Sequence, residues 1–449
     1  MQHRSPPWVV ALLAATALAA SACSNSTASG AASGSRNGKP GASAPGVTAT
    51  QYILGSTQPL TGAAAPGYGE IAPASNAVFK WVNAHGGIHG RTIVYNYLDD
   101  AYNPAQTVIK TRQLTAQPVF ADFDPLGTPT QLQVQGFLNR SGVPQLFVAS
   151  GCSCWSNPSY PLSFGWQTNY IIEGKILGHY IKQHFAGRKV AYIYQDDEFG
   201  QDGVAGLKTQ IPSSGVATQQ PYSVTQFLAT GITSQVAAAQ AAHAGVVVLY
   251  AIPAVVAATL LTAAKLGYHP AFVVSSVGID PHTLEFFFKY LTSKAKAKNP
   301  GAALLNGVTG ADFLPSPNNL SNPWVALFHQ IWANYDSGQP FDNNTIYGMG
   351  AAITMVDLLK AAGPNPTRQS LVAALDAKGA SFATPGLGPL TYSKSNHYGY
   401  EESQLGMING NGVFTLSGPV YTTTNSPSVP VSTLPASTAA APGFTSPNF

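Results

Sequence analysis

Charge is the first thing this sequence is short of. Of its 449 residues, 9% are Asp, Glu, Lys or Arg, against about a quarter in an average soluble protein. The basic residues are scattered and the net charge is +3, so there is no electrostatic footprint for nucleic acid. Cysteine is nearly absent, with three in the chain. Beyond the amino terminus no apolar run approaches the roughly 18 residues of a membrane-spanning helix. No G-x-S-x-G, H-E-x-x-H or Walker A sequence occurs, and the ten histidines are dispersed. Nothing points to an enzyme, a metal site or a cofactor. A hydrolase whose triad assembles only in space is the weaker alternative.

What the chain does have begins with an export signal. Arg4 precedes "WVVALLAATALAA" and then the small residues "ASAC" at 20 to 23, the order of a secretory leader spanning 1–22. Two readings compete at the cut. Ala20-Ser21-Ala22 suits an ordinary signal peptidase, which leaves Cys23 a free thiol. The same stretch resembles a bacterial lipobox, in which Cys23 is acylated and becomes the first mature residue. The scarcity of cysteine favours acylation, because it then leaves an even number of thiols for an oxidising compartment. Residues 23–50 are rich in Ser, Gly, Ala and Pro and read as a flexible tether. The Pro/Ser/Thr-rich 421–449 reads as a disordered tail.

Between these, strand-like and helix-like periods alternate. "YILGSTQ" precedes a helical pattern through Ile71, Val78, Trp81 and Val82 that stops at Gly86-Gly87. "RTIVYNYL" alternates as a strand, and Asn103-Pro104 supplies a cap and a first-turn proline. "VAYIY" and "VVVLY" are apolar throughout, as strands covered on both faces of a parallel sheet are. The rhythm is doubly wound α/β, repeated in two lobes, and ligands in such sheets bind beyond the carboxyl ends of the strands.

The ordered series "PLTGAAAPGYG … NAHGGIHGRTIVYNYLDDAYNPAQ … FLNRSGVPQLFVASG … KVAYIYQDDEFGQDG" resembles the leucine/isoleucine/valine-binding family of solute-binding proteins, from about residue 52 to 414. The resemblance implies a type I periplasmic-binding-protein fold: two α/β lobes joined by three crossover strands. Lobe 1 would be 51–168 plus 313–385, and lobe 2 would be 169–312 plus 386–420. It also implies a small-molecule ligand closed into the cleft and delivered to an ABC permease. Cys23 would then supply the membrane anchor, the chain's only attachment to the bilayer. The alternative is a sensing module acting on a separate membrane receptor.

Carried over by the same resemblance, Thr128 holds the place of a hydroxyl that meets the ligand carboxylate, and Ser150 and Gly151 that of the backbone donors beside it. Tyr68 forms cleft wall. Phe199 and Ile252 come from lobe 2. Ser276 stands where amino-acid-binding members carry an acid for the ligand ammonium. With no acid within three positions of Ser276, the expectation is a preference for ligands that lack an α-ammonium. Cys152 and Cys154, two residues apart after a lobe-1 strand, are expected as a strained disulfide or as two plain thiols. Asp99 and Asp100, and the acids of "QDDEFG", read as polar strand ends and not as metal ligands.

Overall fold

The computed structural model describes residues 41–294, 300–435 and 439–447. The leader and Cys23 lie outside them. Two sheets organise the chain. The first has five parallel strands in the order β2-β1-β3-β4-β5. They are β1 (Gln51–Gln58), β2 (Thr92–Asp99), β3 (Ala121–Phe123), β4 (Gln145–Val148) and β5 (Ser163–Gly165). The second has eight strands, and its parallel half runs β7-β6-β8-β9-β10. These are β6 (Val190–Gln195), β7 (Val216–Tyr222), β8 (Val246–Tyr250), β9 (Ala271–Val274) and β10 (Thr309–Asp312). Beyond β10 lie β11 (Glu402–Ile408), β12 (Phe414–Thr422) and β13 (Ser432–Leu434), all antiparallel.

The local causes are visible. Every residue of β8 is buried, which is why its sequence shows no polar alternation. Asn103 Oδ1 accepts from the Ala105 and Gln106 N–H groups at 2.9 and 3.3 Å, starting the helix Pro104–Thr115. Gly87 sits at φ +70°, where a Cβ would lie 2.0 Å from the Arg91 carbonyl oxygen, so only glycine allows that stop.

Among the described residues, three stretches carry the chain between the sheets. One follows β5 through Trp166–Thr168, one follows β10 through Phe313, and one returns through Gly386–Tyr400 to β11. They pair with each other: Leu387 N–H donates to Phe313 O at 2.9 Å, and the Thr168 hydroxyl donates to Glu402 O at 2.7 Å. The helices Ile71–Ala84, Pro323–Tyr335 and Asn343–Ala362 complete the core of the five-stranded lobe. The helices Pro253–Lys265 and Pro281–Lys294 complete that of the other.

Two sequence expectations fail at their edges. The tether was expected to extend to residue 50, yet 41–50 is packed. Buried Arg91 reaches the carbonyls of Gly41, Thr48 and Pro364 at 2.7, 2.6 and 2.6 Å, and Val47 is buried. Those carbonyls compensate a buried guanidinium. The described part of 421–449 is not a disordered tail either. β13 extends the second sheet, and further on Phe444 stacks on Trp81 at 6.2 Å. The Trp81 and Trp324 indoles donate to the carbonyls of Phe444 and Ala439 at 2.9 and 2.7 Å. Composition missed this because backbone pairing and one aromatic ring suffice to hold a polar strand.

Candidate functional site

The cleft lies between the lobes, beyond the carboxyl ends of β1 to β4 and of β6 to β10. The pair Asp99-Asp100 builds one corner of it. Asp99 Oδ1 accepts from the N–H groups of Leu60, Thr61 and Ala101, and Asp100 Oδ1 from that of Tyr102. Burial works against the charge on Asp99, but these donors and the Thr61 hydroxyl outweigh it and hold its carboxyl below the usual range. The turn they stabilise is left-handed at Ala101 and Tyr102, φ +53° and +56°, and places the Tyr102 ring on the cleft wall. The acids are structural; their product is an aromatic wall residue.

The lobes are closed on each other. The Tyr68 hydroxyl donates to Val277 O at 2.9 Å, and Gln195 Nε2 donates to the Tyr102 hydroxyl at 3.4 Å. Ser153 donates through its N–H and hydroxyl to the Asp202 carboxylate at 2.6 and 3.1 Å. Ser153 is carried by a short turn in which Cys152 and Cys154 form a disulfide. The cavity between the lobes is ≈ 80 Å³ and partly open to solvent, with room for about five to eight water-sized groups. That suits a small solute.

Of the residues expected from sequence, Tyr68, Thr128, Phe199 and Ser276 line the cavity. Phe199 packs against Tyr170 with ring centroids 4.7 Å apart. Ser150, Gly151 and Ile252 lie one layer back. The Thr128 and Ser150 hydroxyls bond each other at 2.7 Å. The Ile252 N–H donates to the Tyr222 hydroxyl at 3.2 Å. A Cβ on Gly151 would lie 2.2 Å from Thr168 O, so the position is closed to side chains.

Tyr170, at the start of the helix Tyr170–His184, was not foreseen. Burial raises the pKa of its phenol, and the Gly151 N–H and the hydroxyls of Ser150 and Thr128 act on it from the other side. The Tyr170 ring thus stands against Gly151, beside the residues that the family resemblance assigns to a ligand carboxylate.

The expectation about Ser276 is corrected in space. Glu173, fully buried on the helix Tyr170–His184, accepts from the Ser276 N–H at 2.7 Å and its hydroxyl at 3.0 Å. Burial pushes the Glu173 carboxyl up to about 8 against those two donors. Two further acids line the cavity itself, Asp280 and Asp312. Asp312 Oδ1 accepts from the N–H groups of Phe313 and Leu314 at 2.8 and 3.1 Å, and Oδ2 from Asn343 Nδ2 at 2.9 Å. Burial raises its carboxyl to about 7, with those N–H groups opposing. Among the described residues no Lys, Arg or His lines the cavity. Asp280 was within view, four positions after Ser276; Asp312 was hidden because "TGAD" does not read as a strand.

Residues 52–412 match the family described as periplasmic binding protein. A Leu/Ile/Val-binding protein homolog 1 of Brucella abortus is 26% identical over 154 residues, which is 33% of this chain and 40% of that protein. The match thus spans less than half the length of that relative. Among solved structures, a fatty acid ABC transporter substrate-binding protein from Thermomonospora curvata aligns with TM-score 0.73 and 20% identity, covering 85% of this chain and 95% of that one. A branched chain amino acid ABC transporter protein from Thermus thermophilus with bound valine aligns with TM-score 0.67 and 20% identity, covering 84% and 97%. Family, sheet order and interlobe cleft agree: this chain belongs to the periplasmic binding proteins, in the type I class that resembles the leucine/isoleucine/valine-binding proteins.

Proposed function

We propose that this protein captures a small solute bearing an amine, or another strong donor group, and lacking a free carboxylate, and that it hands the solute to an ABC permease. The carrying observation is the charge of the cleft: two acids face the cavity, no base among the described residues does, and the Tyr170 ring stands against Gly151 beside the paired Thr128 and Ser150 hydroxyls. A buried ammonium needs a carboxylate partner, and Asp280 and Asp312 offer it. A carboxylate ligand would meet both acids with nothing to offset the repulsion. In this reading Cys23 is acylated and holds the receptor at the membrane, which Cys23→Ala with membrane fractionation tests separately.

The experiment is calorimetry with a matched pair, 3-methylbutylamine and 3-methylbutanoate, and with leucine. The amine is expected to bind at least about tenfold tighter than the acid, which is about 1.4 kcal/mol. Tighter binding of the acid would overturn the assignment of the acidic end, and micromolar leucine would show that Tyr170 gives way.

A further inference from the structure

A second cluster of chemistry-bearing side chains stands at the rim of the cleft. Glu70 precedes the helix Ile71–Ala84, His282 lies in the first turn of Pro281–Lys294, and Asp342 caps Asn343–Ala362. Glu70 and Asp342 belong to the five-stranded lobe and His282 to the eight-stranded one. One ligating atom from each lies within 4.8 Å of the other two.

Asp342 is 4% exposed. Its Oδ1 accepts from the Thr345 N–H at 3.1 Å and the Thr345 hydroxyl at 3.4 Å, which fixes the carboxylate plane. Its Oδ2 has no hydrogen-bond partner among the described residues and stands 3.4 Å from His282 Nδ1. Glu70 Oε2 is also buried without a hydrogen bond. The charges that act on Glu70 come from Asp342, Asp280 and Asp336, all carboxylates. Buried acceptors left without donors are costly. Without an ion, Glu70 must keep its proton and share it with Asp342, which burial and the neighbouring carboxylates favour by raising its carboxyl to about 10; a metal ion would replace that proton and serve both carboxylates and the imidazole together.

Donors at about 2.1 Å in a tetrahedral shell stand about 3.4 Å apart. The Nδ1 to Oδ2 separation matches that, and the Glu70 ligating atom lies within 4.8 Å of both. The His282 side chain is 58% exposed and gives an ion its way in.

We propose that Glu70, His282 and Asp342 bind one divalent first-row transition-metal ion that bridges the lobes at the rim of the cleft. One imidazole nitrogen with two carboxylate oxygens suits Zn²⁺ or Mn²⁺, while Mg²⁺ keeps an octahedral oxygen shell. Because the third ligand comes from the opposite lobe, the ion binds the closed arrangement in preference to the open one and stabilises it by mass action. This site is separate from the solute cavity and does not rest on the proposed solute class.

The test uses untagged mature protein stripped of metal, titrated with ZnCl₂ by calorimetry, with bound zinc counted by elemental analysis. One ion per chain is expected. His282→Ala, at an exposed position, and Asp342→Asn, which keeps a capping residue, should each weaken binding at least about tenfold. Zinc should raise the melting temperature of the wild type and leave that of His282→Ala unmoved. No saturable binding at about 0.1 mM, or equal binding by wild type and His282→Ala, overturns the site.

Discussion

At one end of the cleft the Thr128 and Ser150 hydroxyls bond each other, and the Tyr170 ring packs against Gly151. At the other end Asp280 and Asp312 face the cavity with carboxyls that burial pushes toward the neutral form. The first end has spent its donors on the protein itself. The second keeps acceptors for whatever enters. Two lobes of one architecture can therefore present a neutral wall and an acidic one, and the solute's polarity is set by their difference, since fold alone accommodates many ligands.

The change that should break this contrast most is Asp312→Asn. The amide oxygen can still accept from the Phe313 and Leu314 N–H groups, so the turn survives. The charge does not, and binding of 3-methylbutylamine should fall by about 2–5 kcal/mol, or roughly 30- to several-thousand-fold. Unchanged calorimetric affinity would move the countercharge elsewhere.

A smaller effect comes with pH. With the Asp312 carboxyl at about 7, its ionised share rises about tenfold between pH 6 and 8, and affinity for the amine should rise by up to that factor. Stability of the unliganded protein should run the other way. Asp312 at about 7 and Glu173 at about 8 hold protons that the unfolded chain has already released above about 4. Unfolding therefore releases protons, and stability is lost as pH climbs from about 4 to about 8. Denaturant melts at pH 5 and pH 8 check the sign; equal midpoints would show that these carboxyls are ionised in the fold.

The smallest effect tests the neutral wall. Tyr170→Phe removes the phenol oxygen from beside Gly151 and the Thr128–Ser150 hydroxyl pair. Binding of 3-methylbutanoate should strengthen by about five- to tenfold, with the amine unaffected. If the acid gains nothing, the cradle is not an anion site even when vacant.

The wall residues legible in the sequence are those that directly follow an apolar strand or open the next helix. Thr128 and Ser276 follow β3 and β9, and Phe199 opens the helix after β6. Strand ends identify a loop, however, and not which of its side chains faces inward. Ser150, Gly151 and Ile252 belong to the right loops and turn one layer back, because Thr128, Tyr170 and Pro253 stand in front of them. Tyr170, Asp312, Asn343 and Tyr347 were not legible. They sit at crossings and helix starts whose approach to the cavity depends on how distant segments pack. Glu173 meets Ser276 across 103 positions, and no local pattern announces such a contact.

The described residues after β12 serve both lobes. β13 is an edge strand of the eight-stranded sheet, while Ala439 is gripped by the Trp324 indole on the other lobe. Phe444 stacks on Trp81 of that same lobe. Truncation before residue 432 would therefore bare β12 as a sheet edge and uncover one tryptophan face of the opposite lobe, so a cut in a single polar stretch would be felt by both lobes at once.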